Sequence, residues 1–488
     1  MFLRRPSEDF LLLLECFLWY KKRMIRIYNT LTNKKEDFEP ANGKRVNFFV
    51  CGPTVYDSSH IGHARTYISF DVIVKYLRYA GYEVFYLQNI TDVDDKIIAR
   101  AHETEEDPLF LSRHFAKEYF EDMQELKITS PSKYASASEF IPQIIKQIET
   151  LVKKGVAYST PSGVYYDITK FPEYGKLSHQ NQSTLLKAVR IEEDPNKQND
   201  FDFVLWKAKK PGEPFWQSPW GEGRPGWHIE DTAISEYFFG PQYDVHGGGI
   251  DLKFPHHESE IAQQEAASDK VPFVKYWLHT GHLQVEKQKM SKSLKNFITI
   301  RDILKKHSSE AFRLLVLQNH YRSPINFAEA GIAASEEGVK RLGEFMARLQ
   351  KYSDPVSRKP QSKKTIRMAD VLREKFVQYM DDDFNAPKAI AEMFSIIKKT
   401  NALMDKRALT RDEAHDILHA LKKIDSVFGI IPKAVCEEIP EEIKKLAELR
   451  EQYRKEKRWK EADTARSELL KRGFVVEDGS SGPVVKRK

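Results

Sequence analysis

At 488 residues the chain is too long for one ordinary core, so two to four domains are expected. Hydrophobic residues make up 41% and charged residues 30%, which suits a globular protein, and no apolar run is long enough to span a bilayer. The net charge of +6 is spread over both signs, so it permits a nucleic-acid partner without demanding one. Three cysteines, Cys16, Cys51 and Cys436, are too few for a disulfide framework and point to a reducing compartment.

Residues 10–20 are apolar and flanked by basic residues, but Glu15 interrupts them and no small-residue cleavage site follows, which argues against a signal peptide. Arg45–Val50 (RVNFFV) predicts a short apolar strand. Residues 64–80 carry Ile68, Val72, Ile73, Tyr76 and Leu77 at helical spacing, and Gly81 is a helix stop. Residues 82–90 (YEVFYLQNI) predict a second strand. Strand, helix, strand is a βαβ unit and implies a parallel sheet, with ligands beyond the carboxyl ends of its strands. Cys51 and the tetrad His60-Ile61-Gly62-His63 fall at that edge. A helix start there offers unpaired N–H groups and a positive dipole end to a phosphate. Gly62 lets a base or phosphate approach the backbone, and two imidazoles can donate to developing phosphoryl charge.

Asp92, Asp94 and Asp95 follow the second strand, and facing the pocket or capping the next helix are equally open to them. Residues 103–156 read as largely helical, with Phe115, Tyr119, Phe120, Met123 and Leu126 as core. Residues 158–207 are turn-rich, with β-like pieces at 163–168 and 201–206, and read as an insertion between two halves of a nucleotide-binding fold. Residues 218–231 form a loop entering a helix near Ile229. A strand at 243–251 contains the run His246-Gly247-Gly248-Gly249-Ile250-Asp251. Its glycines, Gly248 among them, can hold a nucleotide's sugar and base near the backbone, with Asp251 accepting from a ribose hydroxyl. Pro255 opens the next helix, where His256 and Glu260 share a face at a spacing that suits two ligands of one metal. An exposed, weakly interacting pair is the commoner outcome of that spacing.

Lys289-Met290-Ser291-Lys292-Ser293 makes a flexible cationic loop able to close on a polyphosphate. Beyond Asp302 the chain is helical, with a polar linker at 353–364 and amphipathic helices over 366–428. Residues 443–472 predict one long charged helix ended by Gly473, followed by a small hairpin. The basic surplus of that helix, with Tyr453 and Trp459 interleaved, suits a solvated face or an RNA track.

The HIGH tetrad at 60–63, KMSKS at 289–293, GRPGWHIE at 223–230, HGGGIDL at 246–252 and PHHESE at 255–260 together resemble the cysteinyl-tRNA synthetase family of class I aminoacyl-tRNA synthetases. The resemblance implies an α/β, Rossmann-type catalytic domain over 24–330 with an inserted subdomain at about 120–215. A helical bundle over 331–430 and an anticodon-binding region over 431–488 would follow. It implies activation of L-cysteine by ATP and transfer to tRNA-Cys, in a cytoplasmic monomer. His60, His63, Lys289 and Lys292 would be catalytic. Gly62, Gly248, Asp251 and Lys292 would bind ATP, and Thr91 and Trp227 would line the cysteine pocket. One Zn2+ per chain is implied, on Cys51, His256, Glu260 and position 231, with Mg2+ accompanying ATP. The family's fourth ligand is a cysteine directly after WHIE; here it is Asp231, which implies a harder Cys/Asp/His/Glu site, with a supporting role for Asp231 as the rival. Lys295 replaces a glycine usual after KMSKSL. Met24 begins a stretch resembling the family's start, so residues 1–23 read as an upstream extension. A ligase joining cysteine to an amino-sugar, or a non-catalytic tRNA-binding relative, are the alternatives.

Overall fold

In the structure, a computed structural model, residues 24–180, 194–290, 296–353, 368–432, 441–479 and 482–487 are described. A hairpin of β1 (Arg26–Asn29) and β2 (Lys34–Asp37) leads into β3 (Arg45–Val50), α1 (Ile61–Tyr79) and β4 (Glu83–Ile90). Next come α2 (Asp95–Thr104), α3 (Pro108–Glu125), β5 (Lys133–Ser136) and α4 (Ile141–Lys153). β6 (Ala157–Thr160), β7 (Gly163–Tyr166), β8 (Phe203–Ala208) and β9 (Gly223–Pro225) precede α5 (Trp227–Phe239), β10 (Tyr243–Gly249), α6 (Glu258–Ser268) and β11 (Val274–Thr280).

The main sheet runs β11-β10-β3-β4-β5 with every pair parallel. Strand β3 is apolar on both faces, as a strand covered by helices on each side must be. Chain order reverses between β3 and β10, which makes their carboxyl ends the switch point where such sheets open a crevice. β6 to β9 form a separate antiparallel sheet, whose Val164, Tyr166, Leu205 and Trp206 pack with Ile144 and Ile148 of α4 and Ile229 of α5. Strand β5 lies within the stretch read as helical and within residues 120–215 read as inserted, yet it is an edge of the main sheet. The inserted sheet therefore starts after β5 and ends at β9.

β12 (Leu283–Val285) and β13 (Gln288–Lys289) form the hairpin that leads toward residues 291–295, which lie outside the described residues. α7 (Ile300–Leu304), α8 (Ser309–Leu317), β14 (Ile325–Phe327), α9 (Glu329–Ser353), α10 (Met368–Met380), α11 (Ala386–Asp405) and α12 (Arg411–Phe428) complete the larger unit. A fully buried Arg313 joins three of its elements. It donates to Asp71 Oδ2 of α1 (2.8 Å), to the Phe428 carbonyl (2.8 Å) and to the Leu126 carbonyl (3.0 Å).

The chain divides at Pro432 into a second unit, with α13 (Glu441–Lys455), α14 (Trp459–Lys471) and the hairpin β15 (Phe474–Gly479) and β16 (Gly482–Arg487). The single long helix expected over 443–472 is broken at 456–458, where Lys457 adopts φ 59°. Folding back lets Leu469 pack on Ile443 and Ala447, a contact two ends of one straight helix cannot make. Residues 1–23, Cys16 and Cys436 lie outside the described residues, as do most of the polar linker and Lys295.

Candidate active site and metal centre

Helix α1 starts at the switch point, and His60 is its N-cap. His60 Nδ1 accepts from the N–H groups of Gly62 (3.1 Å) and His63 (3.3 Å), and the His60 N–H donates to His63 Nδ1 (3.4 Å). The N–H groups of Ile61 and Ala64 donate to the carbonyls of Ile298 and His60. All four first-turn donors are thus engaged. The expected cradle of free backbone N–H groups is absent here, because the histidines themselves cap the helix. Acceptance at Nδ1 fixes the other tautomer, so both neutral rings carry their proton on Nε2. The rings stack at 3.8 Å. Burial lowers His60 to about 4 and also lowers His63, with His60 adding to the effect on His63. At neutral pH this edge presents two uncharged Nε2–H donors.

Beside it, at the end of β3, lies a buried cluster. Cys51 Sγ is 3.2 Å from Asp231 Oδ2, and His256 Nε2 is 3.1 Å from Asp231 Oδ2 and 2.9 Å from Glu260 Oε1. Cys51, Asp231, His256 and Glu260 therefore converge, with donor atoms all within 4.8 Å of one another. The four residues expected from the sequence meet at one point, and the helical pair His256/Glu260 is buried rather than exposed. Burial, then the carboxylates of Asp231 and Glu260, push the Cys51 thiol upward. Burial also raises Glu260 to about 7, while the same two carboxylates outweigh burial at His256 and lift it to about 10. Groups that repel one another's anions in this way are stabilised by a cation placed among them. Glu260 Oε2 is buried without a hydrogen bond among the described residues, a second sign that the donor set fits a metal ion.

Two further imidazoles, His246 and His257, place Nε2 at 3.2 and 3.1 Å from the same sulfur. They were not among the metal candidates read from the sequence. His246 pairs in register with Phe49, two residues before Cys51, so strand alternation puts all three on one face; the β3–β10 pairing that reveals this is a tertiary fact.

Asn89 and Glu230 also escaped sequence reasoning. Asn89 Nδ2 donates to Asp231 Oδ1 (2.5 Å), and Asn89 Oδ1 accepts from the Gly52 N–H (2.6 Å). Thr91 donates its hydroxyl to Glu230 Oε1 (3.0 Å). Trp227 stacks on His256 at 4.2 Å and stays 37% exposed. Gly248 backs against His257: a Cβ there would come within 2.9 Å of the ring. At Gly62 a Cβ would come within 2.8 Å of His60. Asp251 is exposed and its charge acts on His60. Of the acids at 92–95, Asp94 and Asp95 line a pocket with Trp227 and His228, and all three acids also hold structure. Asp94 caps α2, Asp92 accepts from Ser138, and Asp95 pairs with Lys207 and Arg224. Lys292 lies outside the described residues, and Lys289 is placed only by its backbone in β13.

The family description "tRNA synthetases class I (C) catalytic domain" matches residues 37–337, "DALR domain" matches 375–432 and "Cysteinyl-tRNA ligase anticodon binding domain" matches 437–482. The chain is 44% identical over 478 residues to a cysteine–tRNA ligase of Thermodesulfovibrio yellowstonii, covering 93% of this chain and 98% of that protein. It is 44% identical over 478 residues to a cysteine–tRNA ligase of Thermococcus gammatolerans, covering 95% and 99%. Among solved structures, Mycobacterium tuberculosis methionyl-tRNA synthetase bound by methionyl-adenylate is similar in fold, with TM-score 0.61 and 14% identity over 79% of this chain and 92% of that one. No helix among the described residues is long and apolar enough to cross a membrane.

Proposed function

The chain belongs to the cysteine–tRNA ligase family and is a cysteine–tRNA ligase, and from that premise we propose how its residues carry the reaction. The enzyme activates L-cysteine with ATP, then esterifies the 3′ adenosine of its tRNA. A match to the anticodon-binding domain disfavours the amino-sugar ligase.

In activation, a cysteine carboxylate oxygen attacks the α-phosphorus and pyrophosphate leaves with the electrons of the broken P–O bond. Our reading gives the Nε2–H groups of His60 and His63 to the phosphoryl oxygens. Their tautomers are set before substrate arrives, so no reorganisation is needed as charge develops. Lys292, with Lys289, meets the charge of departing pyrophosphate, with Mg2+ accompanying ATP. Gly62 and Gly248 let the nucleotide lie against the backbone, and Asp251 accepts from its ribose. Trp227 covers the cysteine, and Thr91 shapes its pocket.

Cys51, Asp231, His256 and Glu260 would hold one zinc ion per chain. When bound, zinc supplies a borderline-soft Lewis acid that prefers the sulfur of cysteine to the hydroxyl of serine. Asp231 would be the fourth ligand, with Oδ2 as the oxygen left to it because Asn89 already occupies Oδ1. We further propose a cytoplasmic monomer with a catalytic domain over 24–330, a helical bundle over 331–430 and a tRNA-binding region over 431–488.

The observation that carries the metal reading is the convergence of four buried donors on one point, with one oxygen of Glu260 left without a hydrogen bond. Metal analysis of purified protein tests it, and less than one zinc per chain overturns the retained site. Cysteine-dependent exchange of pyrophosphate into ATP tests the activation step, and charging of tRNA-Cys tests the transfer.

A further inference from the structure

We propose that the metal pocket has a second cation position, formed by Cys51, His246, His257 and Glu260. It adjoins the position above and shares Cys51 and Glu260 with it. The proposal rests on the metal reading just given and concerns which of this chain's side chains the ion meets.

The four donor atoms lie within 4.8 Å of one another, and all four residues are buried. Cys51 Sγ is 3.1 Å from His257 Nε2 and 3.2 Å from His246 Nε2. Zinc-to-ligand lengths of tetrahedral sites place sulfur and nitrogen about 3.5 Å apart, so these separations suit one ion with small adjustments.

Each ring is oriented from behind. His246 Nδ1 is 2.6 Å from the Tyr243 hydroxyl, and Trp277 stacks on the ring at 4.4 Å. His257 Nδ1 is 2.8 Å from His279 Nε2, and His279 Nδ1 is 2.8 Å from Thr30 Oγ1. A histidine that donates from one nitrogen turns the lone pair of the other outward, the support that metal-binding imidazoles require. With Nδ1 of His246 donating to the Tyr243 hydroxyl and Nδ1 of His257 donating to His279 Nε2, both Nε2 lone pairs face the Cys51 sulfur.

Glu260 divides its oxygens between the two positions. Oε1 sits 2.9 Å from His256, while Oε2 is 3.5 Å from His246 and has no hydrogen bond among the described residues. A carboxylate serving only the first position has no need of an orphaned oxygen facing the second imidazole pair. The chemistry of the two sets differs in one donor. The first offers sulfur, one nitrogen and two oxygens; the second offers sulfur, two nitrogens and one oxygen. Imidazole suits zinc better than a hard carboxylate does, so Asp231 in the first set brings the second into competition. An ion exchanging Asp231 and His256 for His246 and His257 keeps Cys51 and Glu260 throughout.

The test counts metal and imidazoles rather than turnover. Full-length Asp231→Ala/His256→Ala protein, shown to be folded by circular dichroism, is loaded with zinc and examined by X-ray absorption. The expected result is about one zinc per chain, with one sulfur and two imidazoles in its first shell. A folded double variant that binds no zinc overturns the proposal. Should that variant not fold, the imidazole count of the unsubstituted protein decides. More than one imidazole per zinc supports the second position, as does more than one zinc per chain, and a single imidazole on a single zinc overturns it. If the unsubstituted protein binds no metal, the metal reading itself falls, an outcome distinct from these.

Discussion

Replacing His60 separates two jobs that one imidazole performs. Nδ1 caps the N–H groups of Gly62 and His63, while Nε2–H is the donor assigned to the phosphoryl group. His60→Ala removes both. Loss of the cap costs about 1–2 kcal/mol of stability, and loss of a preorganised donor costs about 10²–10³ in rate. His60→Asn keeps a side-chain oxygen at the cap position and places nothing where Nε2–H was. It should melt within a degree or two of the parent by calorimetry, as a change well under 1 kcal/mol implies for a protein of this size, yet exchange pyrophosphate about as poorly as the alanine variant. If Asn restores exchange along with stability, His60 is a cap and nothing more, and the donor argument is refuted. The pH dependence is a further check. A folded-state value of about 4, against an ordinary 6.5, means the unfolded chain binds the proton more readily between those limits. Stability from this group is therefore complete above pH 6.5 and is lost as pH falls toward 4, by up to about 3 kcal/mol. His60→Asn should flatten that part of the stability profile in urea titrations.

Asp71→Ala leaves the buried guanidinium of Arg313 without its carboxylate and strips the acceptor from the N–H groups of Thr129 and Ser130. The expected loss is about 3–5 kcal/mol in urea denaturation, and a loss under about 1 kcal/mol contradicts the buried-pair argument. Gly248→Ala brings a methyl to 2.9 Å from His257 and 3.1 Å from Leu252, so strain of about 1–3 kcal/mol and a raised KM for ATP are expected, and steady-state kinetics at varied ATP checks it. Chelation of the metal should lower the melting temperature, because an ion that binds the converged donors of the folded chain stabilises it by mass action. For metal held at about 100 times its Kd the effect is near 3 kcal/mol, and an unchanged melting curve with chelator refutes it.

The β3-α1-β4 unit was legible because every signal for it is local. An apolar run, a helical repeat and a glycine stop lie within residues 45–90, and the structure places the strands at Arg45–Val50 and Glu83–Ile90. Strand β5 was not legible. Its four residues, KYAS, show no alternation and become a strand only through pairing with β4. The break at Lys457 was hidden for the opposite reason. The helical pattern on both sides of it is strong, and only the burial gained by folding back interrupts it. Motif residues marked the site, but not its wiring. His246 and His257 stand 195 and 206 residues from Cys51 in the chain, and a parallel strand order is what brings them to it.

Position 231 shows why wiring decides chemistry. A thiolate offers a metal one donor atom, whereas a carboxylate offers two and can crowd a tetrahedral site. In this chain the second oxygen is occupied: Asn89 donates to Asp231 Oδ1 at 2.5 Å and is itself held by the Gly52 N–H at 2.6 Å. Gly52 has no room for a side chain, since a Cβ would lie 1.6 Å from the Asn89 carbonyl oxygen, so the loop carrying Cys51 is locked to the strand carrying Asn89. What remains is Oδ2, a single oxygen 3.2 Å from Cys51 and 3.1 Å from His256. Asp231 thus presents one donor atom, as a cysteine would, and it does so because of a neighbour 142 residues away in sequence. A metal bound here would meet a harder donor at position 231, while Asn89 preserves how many atoms that position offers.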